Sequence, residues 1–83
     1  MYRIEFSSRA DKQFAKLESQ IQERIVRALK RSALRPKSYF ERLRGDYLYK
    51  LRVGDYRIIA RIEEDKLFIF VIEVGHRKNV YDR

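Results

Sequence analysis

Lys50, Arg52, Arg57 and Arg61 lie within residues 47–61, YLYKLRVGDYRIIAR, at spacings that bring all four to one face of a two-stranded hairpin. Gly54-Asp55 is the two-residue turn that sets the register: Val53 faces Tyr56, Leu51 faces Ile58, Tyr49 faces Ala60 and Arg52 faces Arg57. Opposed residues share a sheet face, so Tyr49, Leu51, Val53, Tyr56, Ile58, Ala60 and Ile62 form a core face. The other face carries the four cations around Leu48 and Ile59. Like charges directly opposite one another cost about 0.2 to 1 kcal/mol, so Arg52 against Arg57 asks for an anion between them. A phosphodiester meets that requirement, because guanidinium forks grip phosphate oxygens and stay charged while negative charge builds in a transition state. The competing reading has both side chains reaching apart into water, paired with Glu41, Asp46 or Asp55.

The C-terminal run HRKNVYDR adds Arg77 and Lys78 as further cations and Tyr81 as an aromatic hydroxyl. Tyr81 is suited to stacking on a base or taking a proton from a ribose hydroxyl, or else to a plain hydrophobic anchor. His76, the one histidine, is of the residue type used for general acid or base work, and equally suits a structural hydrogen bond. No Asp or Glu cluster accompanies the cations, which argues against a two-metal nuclease, and no metal or other cofactor is expected. No Gly-rich phosphate loop is present, and one histidine gives no convincing Ser-His-Asp set. What remains is metal-free phosphoryl transfer with an internal 2′-OH as nucleophile, which requires RNA. Lys50, Arg52, Arg57, Arg77 and Tyr81 are the catalytic candidates, and Lys50, Arg52, Arg61, His76 and Lys78 the RNA-contacting ones.

These groups need a rigid platform. Tyr2, Ile4 and Phe6 alternate with charged residues as in a half-buried strand. Ser7-Ser8 offers a helix N-cap before Ala10, Phe14 and Leu17, and Ser19 with Gln22 matches a capping box that starts a second helix with Ile21, Ile25, Ala28 and Leu29 inward. Arg27, Lys30 and Arg31 point outward from it. Pro36 is expected to stop that helix. Residues 36–46 form a connection, the hairpin follows, residues 63–66 turn, and Leu67 to Val74 is a nearly continuous apolar strand closed by Gly75. The order is β-α-α-β-β-β. It predicts an α+β fold with two helices on one face of a mainly antiparallel sheet and the cationic face left open.

The 83 residues allow one domain, residues 1–83, with 45% hydrophobic residues for its core and no cysteine to staple it. Twenty Lys and Arg against twelve Asp and Glu give +8, a balance that favours polyanion partners. Neither a signal peptide nor a membrane span is visible, which leads to the expectation of a cytoplasmic protein with no membrane partner.

The hairpin and tail together resemble the RelE branch of the RelE/ParE toxin superfamily of prokaryotic toxin–antitoxin modules. The likeness rests on residues 43–62, LRGDYLYKLRVGDYRIIARI, on the ending FVIEVGHRKNVY, and on the element order. It implies an mRNA endonuclease that cuts in the ribosomal A site and leaves a 2′,3′-cyclic phosphate. By the same resemblance Arg57 stabilises the transition state, Lys50 and Arg52 activate the nucleophile and hold phosphate, Arg77 assists phosphate or leaving group, and Tyr81 orients the base. A cognate antitoxin is the implied partner, with operator DNA bound mostly through the antitoxin. The alternative within the superfamily is a ParE-like, non-enzymatic inhibitor of DNA gyrase.

Overall fold

The computed structural model describes residues 1–43 and 47–76. Along the chain run β1 (Arg3–Phe6), α1 (Ser8–Ala15), α2 (Ser19–Ser32), α3 (Pro36–Tyr39), β2 (Glu41–Arg42), β3 (Tyr49–Val53), β4 (Tyr56–Glu63) and β5 (Phe68–His76). The strands form one sheet in the order β1-β5-β4-β3-β2. Only β1 and β5 pair in parallel; β2–β3, β3–β4 and β4–β5 are antiparallel. The expected β-α-α-β-β-β order is present. Within the connection after α2, the one-turn helix α3 and the short strand β2 are additional.

The core lies between the sheet and the helices. Ile25 and Leu29 of α2 and Ala10 of α1 pack on Leu51, Ile58, Ala60, Ile69, Val71 and Val74, with Ile21, Ala28, Tyr49 and Val53 partly buried around them. The helical spacing of the apolar residues of α2 thus meets the two-residue alternation of β3 and β4.

Ser7 ties α1 to the sheet with a single side chain. Its oxygen accepts the Ala10 N–H at 3.0 Å, capping the helix, while its hydroxyl donates to the Ile72 carbonyl at 3.1 Å. Gln13 completes the seam, its side-chain oxygen accepting the Val74 N–H at 2.7 Å beyond the point where β1 has ended. That bond satisfies a strand-edge donor which has no neighbouring strand.

Two local expectations change. The N-cap of α2 is Glu18, without a side-chain cap, so the Ser19–Gln22 box does not form. Gln22 instead donates to the Phe14 carbonyl at 2.9 Å, which also accepts the Leu17 N–H at 3.1 Å at the end of α1. Pro36 also does not end α2, which stops at Ser32. It takes the first position of α3, where its missing N–H costs nothing.

The hairpin register is as the turn predicts: Tyr49↔Ala60, Leu51↔Ile58, Arg52↔Arg57 and Val53↔Tyr56. Gly54 has φ 60°, the left-handed conformation that the first turn residue needs here. The strand β5 carries one surplus residue: Ile59 faces Glu73, while Ala60 faces Val71. Such a bulge reverses the alternation beyond it. Val74 therefore joins Ile58 in the core, and Gly75 comes opposite Arg57.

Candidate active site

Two strands supply the centre of the site. Because side chains alternate along β3 and β4, Lys50 and Arg52 leave β3 on the side away from the helices, as Arg57 and Arg61 leave β4. The floor between them is apolar: Leu43 and Ile59 are buried, with Leu48 and Ile72 packed against them. Lys50 stands in register with Ile59, and Arg61 with Phe70. Lys50 and Arg57 are half-buried and engaged with neighbouring groups, whereas Arg52 and Arg61 are exposed. A half-buried cation over apolar surface is less screened by water than one on an open surface, which strengthens its hold on an anion.

Arg52 has no ion pair with Glu41 or Asp55 among the described residues. Glu41 stands opposite Lys50 in the β2–β3 register instead. The side chain of Arg52 also lines a cleft with residues of α2, since among the described residues β3 has no paired neighbour beyond Lys50 on that edge.

His76 does not share the face of Arg57. The bulge pairs it with Tyr56, and the two rings meet edge to face with centroids 5.5 Å apart. Gly75 takes the place opposite Arg57 in the β4–β5 register. Arg77, Lys78 and Tyr81, and also Asp46, fall outside the described residues.

Tyr47 enters as a residue that the spacing argument passed over. It is 81% exposed, and it lines a recess of about 300 Å³ with Leu48, Arg61 and Ile72. The signal for it in the sequence is slight: one more tyrosine before the hairpin, with no alternation to give its side. Away from the cations, Lys37 donates to Glu64 at 2.9 Å and lies 5.7 Å from the centre of the Tyr49 ring. The hydrogen bond to Glu64, helped by Tyr49, raises the Lys37 pKa above the ordinary lysine value.

The family model described as "ParE toxin of type II toxin-antitoxin system, parDE" matches residues 4–81. The chain is 34% identical over 80 residues to the mRNA interferase toxin RelE of Escherichia coli K12, covering 93% of this chain and 84% of that protein. This chain belongs to the RelE branch of the RelE/ParE toxin superfamily. Its fold superposes on a chain of the intact E. coli RelBE toxin–antitoxin complex with a TM-score of 0.78 at 32% identity, covering 92% of this chain and 96% of that one. It also matches a chain of the RelBE2 complex from Mycobacterium tuberculosis with a TM-score of 0.83 at 25% identity, covering 92% and 98%. In this chain the RelE-branch sheet carries the Lys50, Arg52 and Arg57 cluster on the face that the helices leave open.

Proposed function

We propose that this protein is the toxin of a type II toxin–antitoxin module and that it cuts mRNA on the ribosome. The observation that carries this reading is the placement of Arg52 opposite Arg57, beside Lys50, on the open face of a RelE-branch sheet. In the reaction the 2′-oxygen of one nucleotide attacks the adjacent phosphorus. A new O2′–P bond forms, the P–O5′ bond breaks, and the products are a 2′,3′-cyclic phosphate and a 5′-hydroxyl. The proton lost by the 2′-OH leaves to a base, and a proton reaches O5′ as it departs.

Arg57 neutralises the charge that accumulates on the nonbridging oxygens. Its planar fork can donate to two of those oxygens at once. Lys50 and Arg52 hold the phosphate and lower the cost of forming the 2′-oxyanion. Arg77 assists the phosphate or the leaving oxygen and Tyr81 orients the base, roles that rest on the sequence resemblance. Arg61 holds the RNA strand further along the face. A cognate antitoxin, the partner class named for the solved relatives, covers the open face and suppresses cutting. The complex binds operator DNA mainly through that antitoxin, and the toxin acts in the cytoplasm.

The test is incubation of the purified protein with mRNA-programmed ribosomes, with mapping of the new ends. Fragments ending in a 2′,3′-cyclic phosphate are expected, and the Arg57→Ala variant should produce almost none. Intact mRNA, together with trapping of gyrase on supercoiled DNA, would place the protein with the gyrase-inhibiting members instead.

A further inference from the structure

Three arginines of α2, Arg24, Arg27 and Arg31, share one side of the helix at spacings of three and four residues. With Arg52, Ala28 and Val53 they line a cleft of about 270 Å³ beside the unpaired end of β3. Among the described residues no carboxylate lines this cleft, and none of its four guanidinium groups has an ion pair. The approach is close enough that a β-carbon on Gly54 would sit 2.8 Å from an Arg24 guanidinium nitrogen. Four like charges gathered without an acid are mutually repulsive, so the cleft is complementary to an anion.

We propose that this cleft is a second phosphate-binding site, which holds RNA backbone at a position separate from the one that is cut. The proposal rests on the RNA-cleaving reading for the identity of its ligand. Arginine forks suit phosphate oxygens, and the small apolar share of the lining, Ala28 and Val53, offers little to the side chains of an acidic peptide. Arg52 belongs both to the open sheet face and to the cleft, and so joins the two into one cationic track around the edge of β3.

The test measures affinity against salt for an uncleavable 2′-O-methyl oligoribonucleotide, for mRNA-free ribosomes and for polyglutamate. The triple variant Arg24→Gln, Arg27→Gln, Arg31→Gln is compared with a variant of equal charge change elsewhere, Lys12→Gln, Lys16→Gln, Lys30→Gln. Each phosphate contact on a single strand contributes about 0.7 to the slope of log K against log salt, so the arginine variant should flatten that slope by about 1.4 to 2. The lysine variant should leave it near the parent value. Loss on the oligonucleotide assigns the cleft to the substrate strand, and loss on ribosomes alone assigns it to ribosomal RNA; both support the site. Equal slopes in all three proteins, equal flattening by both variants, or weakening for polyglutamate alone would overturn it. An Arg→Lys triple variant guards against misfolding: it retains the charges and should keep most of the slope. Cleavage by the parent is scored separately, so a protein that binds RNA here yet leaves mRNA whole fails the endonuclease reading and not this one.

Discussion

Arg57 on β4 stands directly opposite Gly75 on β5, and this pairing exists only because β5 carries one surplus residue between Val71 and Val74. Without the bulge, Val74 would face Arg57 and an isopropyl group would stand at the register position that Gly75 now holds. Bulges are common where a strand must re-aim a side chain beside a site.

A side chain at residue 75 should harm function without harming the fold. Gly75→Val is expected to lower single-turnover mRNA cleavage about 10- to 100-fold by displacing the guanidinium, with a melting temperature equal to or above that of the parent because valine favours strands. A stable variant with full activity would show that a glycine opposite Arg57 is not needed.

Arg57→Ala is expected to cost about 10²- to 10³-fold in cleavage, the range seen when one oxyanion-stabilising donor is removed. Denaturant unfolding should shift little, since the residue is only half-buried on the face away from the main core. Rates and unfolding curves from the same preparation check both statements.

Ser7→Ala removes the cap of α1 and the link to the Ile72 carbonyl together. The expected loss is about 1 to 2 kcal/mol in urea unfolding. Ser7→Thr should recover most of it, since threonine supplies both the acceptor and the hydroxyl donor.

Gly54→Ala places a β-carbon at φ 60° and against Arg24. About 1 to 2 kcal/mol of destabilisation is expected from the backbone alone, read as a lower melting temperature. Gly54→Asn should cost less, because asparagine tolerates the left-handed region.

Alkaline pH should weaken the Lys37–Glu64 contact. The folded-state pKa of Lys37 is raised, so its contribution is fully present below the unfolded value of about 10.4 and fades as pH rises through the higher folded one. The small stability difference between the parent and Lys37→Met should therefore close above that value, as measured by urea unfolding across alkaline buffers.

The hairpin was readable because Gly54-Asp55 pins its register and a one-residue slip would turn every apolar side chain outward. Its cations followed from the same alternation. The bulge was not readable, because LFIFVIEV is apolar almost throughout and shows no alternation for a slip to interrupt. That one shift also decides that His76 meets Tyr56 instead of joining Arg57. β2 is two residues long, too short to show a period, and its place is set by pairing with β3. Arg27 and Arg31 looked like an ordinary solvated helix face, since helical spacing does not reveal that Arg52 and the open edge of β3 lie alongside.

The parallel pairing of β1 with β5 joins residues 3–6 to residues 68–71. During synthesis β1 therefore emerges before its partner and can be incorporated only once residues 68–71 have been made. A nascent polypeptide halted before Phe68 has no strand to join β1 to β4. It lacks the floor residue Ile72 and Gly75 opposite Arg57. Assembly of the site therefore waits for β5, and chains terminated before that strand should be inert.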